Sequence, residues 1–435
     1  MKTLNFLTIK RLFILASVAA FSRLAFAQNE SSPVQLSADQ AVQYAIEGNI
    51  GLQREKISLK TAKRSSSTSL NALLPSVNAT GSVSGGDNID DPALQAGISV
   101  SLGLSPSVYT TVKAASLAYQ KQELDWESAV RTIELNVRKA YYKLLYEKEN
   151  LNLMQSNVSS ALRQYNSNAA RYNRGGLARL DVLSAQVSYQ NAQVAYENAL
   201  ITLQTDTETF KQMLGLDPSC EIELTLSLEP LLSLSEITKE DVSKLTSSSP
   251  EIASLEKQIE IAKNNLLSSR FSAWGPTLTG SYSYTMNGTV DTGIDSDSGT
   301  GKWSLGVTIP LDGIIPFSKR GVAVSDQKDT LASLELELEN TKNTFNMNVD
   351  SCIRKINYSQ SVINLRKSSV NLAAQTYNMS LDAYNRGSKD LLSLQSALDS
   401  LTQAKVNLHS EAYNLVCNIL DLENTLGVPF GTLIK

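Results

Sequence analysis

The residues Arg171-Tyr172-Asn173-Arg174-Gly175 return 212 positions later as Ala383-Tyr384-Asn385-Arg386-Gly387. The same shift carries Ser184-Ala185 onto Ser396-Ala397 and Leu214-Gly215 onto Leu426-Gly427. Upstream, Val137, Leu144, Leu151, Val158, Tyr165 and Tyr172 lie seven apart and map onto Val349, Ile356, Ile363, Val370, Tyr377 and Tyr384. A gapless correspondence over about 80 residues marks an internal duplication, so the chain folds as two like units. Earlier segments match more loosely: Leu36 to Pro75 resembles Ile237 to Pro276, each ending in a proline before alternating residues.

The seven-residue spacing is a coiled-coil seam, completed by Ala140, Met154 and Ala161, with Glu147 as an interruption. From Ser107 to Tyr172 there is no proline or glycine. One helix of that length spans about 100 Å, and Gly321 to Tyr384 predicts a second, nearly as long. In the helices that follow, Tyr189, Tyr196, Leu203 and Phe210 form one stripe, matched by Leu401, Leu408, Leu415 and Leu422. Leu183, Val187, Val194 and Ile201 form a second stripe on another face. Two stripes predict neighbours on both sides, as in a closed ring of helices. Periodicity alone also suits an ordinary coiled coil or bundle.

The strands bear on that choice. Ile98, Val100, Leu102 and Leu104 alternate with Ser99, Ser101 and Gly103; Trp303, Leu305, Val307, Ile309 and Leu311 alternate with Lys302, Ser304, Gly306 and Thr308. Leu278, Tyr282, Tyr284 and Met286 alternate with Thr277, Thr279, Ser281 and Ser283. About ten residues of apolar–polar alternation is the pattern of an outer-membrane strand, and Trp274, Tyr282, Tyr284 and Trp303 are candidate membrane-interface aromatics. Taken singly, each strand also suits a half-buried soluble sheet. Four strands cannot close a barrel, and lipid does not tolerate open edges. A spanning structure therefore needs several chains, three giving about twelve strands.

The N-terminus reads as a signal peptide over 1–27: Lys2, Lys10 and Arg11, the apolar run Leu12 to Phe21, then Ala25-Phe26-Ala27. No cysteine directly follows the apolar run, which argues against lipid anchoring of the mature N-terminus. Losing that leader removes four positive and no negative side chains from a chain of net charge −4, against a basic nucleic-acid surface. The domains expected are a first repeat over 28–216 with its hairpin at about 77–104, a connector over 217–236, a second repeat over 237–428 with its hairpin at about 277–311, and a tail over 429–435. A single histidine, His409, gives no basis for a His-based metal site or triad, and no phosphate loop or nucleophile motif appears, so neither an enzyme nor a cofactor is expected. Cys220, Cys352 and Cys417 lack zinc-like spacing; buried free thiols are expected, with a Cys352–Cys417 disulfide the alternative.

With these residues in view, the sequence resembles the TolC family of outer-membrane efflux proteins, from Leu36-Ser37 and Ala41-Val42 to Leu426-Gly427. The most specific elements are the duplicated Tyr-x-x-Gly tips, Asp181-Val182-Leu183-Ser184-Ala185 and the Leu-Gly ends of both repeats. The resemblance implies an α+β membrane protein: a long-helix α-barrel crossing the periplasm, and four strands per chain in a trimeric twelve-stranded β-barrel in the outer membrane. It implies a passive exit duct for tripartite efflux or type I secretion, working as a homotrimer with a periplasmic adaptor and an inner-membrane RND, ABC or MFS transporter. It further implies a closed periplasmic aperture latched by Asp181 against Tyr384 and Lys389. A lysine at the last position makes a point contact without an arginine's planar fork, and Asp181 is also a residue suited simply to a helix start. The helix tips Arg174, Gly175, Gly176, Arg386, Gly387 and Ser388 become the expected adaptor-docking surface. The family's second-repeat acidic ring is replaced here by Ser393 and Ser396, so a cation-binding constriction is not expected. The rival readings are a periplasmic coiled-coil adaptor, a structural protein and a stand-alone porin; the paired lipid-type strands disfavour the first, and the long helices the last.

Overall fold

A computed structural model describes residues 34–86, 91–225 and 249–433, apart from 296, 298, 312, 314 and 316. The expected signal peptide and most of the 217–236 connector lie outside the described residues. The elements run β1 (Val34–Leu36), α1 (Ala38–Gly48), α2 (Ile50–Ser67), β2 (Ser76–Ser84), β3 (Ala93–Leu104), α3 (Ser107–Asn173), α4 (Arg179–Leu214), β4 (Ile222–Leu224), α5 (Pro250–Trp274), β5 (Thr277–Thr289), β6 (Gly293–Ile294), β7 (Thr300–Thr308), α6 (Lys319–Asn385) and α7 (Leu391–Leu426).

The heptad-bearing segments form α3 and α6, both 67 residues long, and each is followed by a 36-residue helix. The second long helix is thus equal to the first and not slightly shorter. Gly321 does not bound it, because the Ser318 hydroxyl caps the helix by accepting from the Gly321 amide at 3.1 Å. Each long helix is flanked end to end by two shorter ones: α2 and α4 lie along α3, and α5 and α7 along α6. The repeats meet where α5 and α7 pack on α3. In the half below the sheet-bearing end the order is therefore α4, α3, α7, α6, which leaves α4 and α6 as the two edges of the protomer.

At the junction of the two halves, Tyr141, Leu144, Phe210, Leu214, Val416 and Leu420 bury against α1 and the short parallel pair β1–β4. The Tyr141 hydroxyl, wholly buried, donates to the Leu36 carbonyl at 3.0 Å. Arg131 ties α3 to the end of α7: its guanidinium donates to the carbonyls of Glu423 and Val428, both at 2.6 Å, and stacks 4.8 Å from the Phe430 ring. All three cysteines are free.

The four long strands pair antiparallel in the order β2, β3, β5, β7. Their register sorts every side chain. One face carries rows such as Val77–Val100–Tyr282–Trp303 and Leu104–Leu278–Val307; the other carries Ser76–Ser101–Ser281–Ser304 and Asn78–Ser99–Ser283–Lys302. Serine hydroxyls bond along the polar row, Ser76 to Ser101 and Ser281 to Ser304, each at 2.7 Å. The apolar face is bare in the protomer, with Trp303 81% exposed. Ile309 and Leu311 fall outside β7, which stops at Thr308. Pro310 has no N–H to give a ladder, and it restricts the residue before it.

Candidate functional site

The ends of the two helical hairpins are built alike. Gly175 and Gly387 adopt φ of 77° and 76°, left-handed values that only glycine enters without strain. Each closes its helix with the same pair of backbone bonds: Gly175 N–H to the Tyr172 carbonyl and Gly176 N–H to Arg171, then Gly387 N–H to Tyr384 and Ser388 N–H to Ala383. Arg174 donates to its own helix at the Ala170 carbonyl, while Gly176, Arg386, Gly387 and Ser388 are exposed.

The two repeats differ in how the returning helix starts. Ala178 precedes α4 and offers no side-chain cap; Asp181 lies in the first turn, where an acid favours the helix dipole. Asp390 precedes α7 and caps it, accepting from the Ser393 amide at 3.1 Å. That side-chain and backbone hydrogen bonding to Ser393 holds the Asp390 carboxyl below its ordinary range.

Tyr384 is buried in a cluster with Ala185, Leu391 and Leu394, under Tyr165, Tyr377 and Leu381. Its hydroxyl donates to Asn168 Oδ1 at 2.7 Å. Asn168, wholly buried, also accepts from Gln164 Nε2 at 2.9 Å and donates to the Asp181 carbonyl at 3.5 Å. The Arg171 guanidinium sits 5.5 Å from the Tyr384 ring centroid. A further bond, Gln395 Nε2 to Ser188 Oγ, joins α7 to α4. The structure thus connects Tyr384 to Asp181 through Asn168 and the main chain. Among the described residues of the protomer, neither the Asp181 carboxylate nor Lys389 forms an ion pair, and Lys389 is exposed.

Asn168, Gln164 and Asp390 escaped the sequence reading. Asn168 lies 21 residues after Glu147 in the same seam register, so a second polar interruption of the seam was the available signal. Polar residues at such positions fix register at a cost in stability.

On the sheet, Tyr282 and Trp303 are direct cross-strand partners and Tyr284 lies two residues along β5, toward the loop end of the β5–β7 ladder. Trp274 ends α5 at the opposite, helical end of the sheet.

The comparison with known proteins agrees with this architecture. A family model described as outer membrane efflux protein matches residues 41–216 and 242–428. Outer membrane protein TolC of Escherichia coli is 24% identical over 345 residues, spanning 76% of this chain and 69% of that protein. The protein of the same description from Vibrio cholerae is 20% identical over 96% of this chain and 94% of its own. Among solved structures, the Campylobacter jejuni CmeC outer membrane channel superposes with a TM-score of 0.74 at 17% identity, covering 90% of this chain and 85% of its own. With both repeats matched and the long-helix, four-strand architecture shared, the chain belongs to the outer membrane efflux protein family, a family of outer-membrane channels.

Proposed function

We propose that this chain is the exit duct of a tripartite efflux or type I secretion assembly: three copies form a passive conduit from periplasm to exterior. The observation that carries the reading is the four-stranded sheet with one largely apolar face, one hydroxyl-lined face and, among the described residues, two unpaired edges. Lipid requires such edges to be closed, and three copies supply about twelve strands. The helical edges support the same count. On α4, Leu180, Val187, Val194 and Ile201 are exposed at seven-residue spacing, and on α6 so are Tyr358, Leu365, Leu372 and Met379. Two free heptad stripes on opposite edges of one protomer suit ring closure between copies.

The helices then project into the periplasm, and the hairpin ends form the aperture. The proposed latch sets Asp181 of one copy against Lys389 of its neighbour, while Tyr384 acts indirectly, through its hydrogen bond to Asn168 and from there to the Asp181 carbonyl. Opening follows when a periplasmic adaptor, engaging Arg174, Gly175, Gly176, Arg386, Gly387 and Ser388, and an inner-membrane RND, ABC or MFS transporter draw the ends apart. Trp274 at the helical end of the sheet, with Tyr282, Tyr284 and Trp303 on its apolar face nearer mid-height, are the lipid-interface aromatics of this reading. The test is conductance of the purified protein in planar bilayers. A low basal conductance that rises in Asp181→Ala supports the gated duct. A wild-type protein that never conducts overturns the conduit, and an unchanged Asp181→Ala places the latch elsewhere. Crosslinking through cysteines introduced beside Gly175 and Gly387 identifies the adaptor.

A further inference from the structure

Lys302 is the one charged side chain in the four long strands. Its register with Ser283, Ser99 and Asn78 sets it on the hydroxyl face, one residue from Trp303 on the opposite face. The side chain is exposed, and no ion pair engages it among the described residues. The first repeat offers only serine, threonine, asparagine, glutamine, glycine and Ala93 on the same face, so the charge occurs once per copy. The loop end of the sheet carries the opposite sign, with Asp91, Asp291, Asp295 and Asp297.

We infer that Lys302 is a selectivity-determining residue of the outer-membrane pore: a ring of ammonium groups that opposes cations and favours anionic solutes beneath an acidic mouth. This rests on the trimeric barrel with its hydroxyl face towards the lumen. Twelve strands about 4.8 Å apart and tilted about 40° put the wall roughly 12 Å from the axis. The Debye length is about 10 Å at 0.1 M salt and about 3 Å at 1 M. Fields from three lysines therefore reach the axis in dilute salt and are screened in concentrated salt. A lysine that merely deters stray pairing at a strand edge would leave ion permeation untouched.

The experiment is the reversal potential of single channels under a potassium chloride gradient centred near 0.1 M. Lys302→Gln should raise the potassium-to-chloride permeability ratio about twofold, Lys302→Glu further, and Lys302→Arg not at all, with the differences vanishing near 1 M salt. Lys302→Cys, assembled first and then modified with a positive or a negative thiol reagent, keeps the test open if the glutamate variant fails to insert; the two adducts should shift the potential in opposite directions. Conducting channels whose reversal potential ignores all these changes overturn the inference while leaving the duct intact. Absence of any wild-type conductance overturns the duct itself, and the ring with it.

Discussion

Glu147 shows what a polar residue does inside a helical seam. It is 6% exposed, and burial, together with the hydrogen bond to Asp206, pushes its carboxyl up to about 8. Lys143 stands 2.6 Å from Asp206 and 3.5 Å from Glu147 and so ties α3 to α4. A carboxyl raised on folding binds its proton more tightly in the native state, so its contribution is full below about 4.5 and is lost as pH rises towards 8. Asp206, lowered first by the Glu147 hydrogen bond, acts in the opposite sense only near and below 3.8. Glu147→Gln keeps a donor to Asp206 without the ionisation. It should therefore melt above wild type at pH 8 and match it near pH 4.5; equal melting temperatures at both pH values would sink the assignment. At the hairpin ends, Asn168→Ala leaves the buried Tyr384 hydroxyl without an acceptor, at about 1–3 kcal/mol. Tyr384→Phe costs less, since Gln164 still satisfies Asn168. Amide exchange in the first turn of α4 should therefore speed up more in Asn168→Ala than in Tyr384→Phe. The residues at the counterpart positions, Ser359 and Ser380, are buried hydroxyls, so the large polar groups belong to the first repeat alone. That difference is legible in the sequence as a bare substitution, but the partners it makes across helices are not.

Among the elements, the four long helices were the most legible, because period and punctuation agree. Heptads marked their lengths, and glycine marked their ends. What the spacing could not convey is how differently two glycines of like conformation are held. Gly175 and Gly215 both have positive φ, 77° and 70°. A Cβ at Gly175 would meet open space, whereas at Gly215 it would lie 2.5 Å from the Gly48 carbonyl oxygen and 2.8 Å from its Cα. Gly175→Ala should therefore cost about 1–2 kcal/mol, the left-handed strain alone. Gly215→Ala should cost clearly more, because two backbones must part. Thermal unfolding of the pair decides it, and equal losses would mean the α1–α4 contact yields easily. The strands were legible in facing but not in extent: alternation continues through Ile309 and Leu311, while the ladder ends before Pro310. Pairing order across the repeats, β3 beside β5, is a long-range choice that period-two alternation does not encode.

For the whole molecule, the sequence carried the need for further copies, since four strands and two apolar helix edges have no complete solution within one chain. It did not carry which helices form those edges, because packing order depends on contacts between repeats. With α4 and α6 identified, a charge in either stripe should act on assembly and not on the protomer fold. Val194, 60% exposed, and Leu365, 68% exposed, are the sites to change. Val194→Asp and Leu365→Asp should each shift the detergent-solubilised mass from trimer towards monomer with helical content unchanged. Trimers that persist in both variants would place the seam elsewhere.

The boundaries of all four long helices repeat at a single offset, and this bears on how such a protein changes over generations. A hairpin reaches further only if equal numbers of residues enter its descending and ascending arms, and the heptad seam admits them in sevens. For the proposed aperture both hairpins must end on one level, so the second repeat has to receive the same additions. A change of reach therefore takes four matched insertions, whereas strand loops and tail can vary one residue at a time.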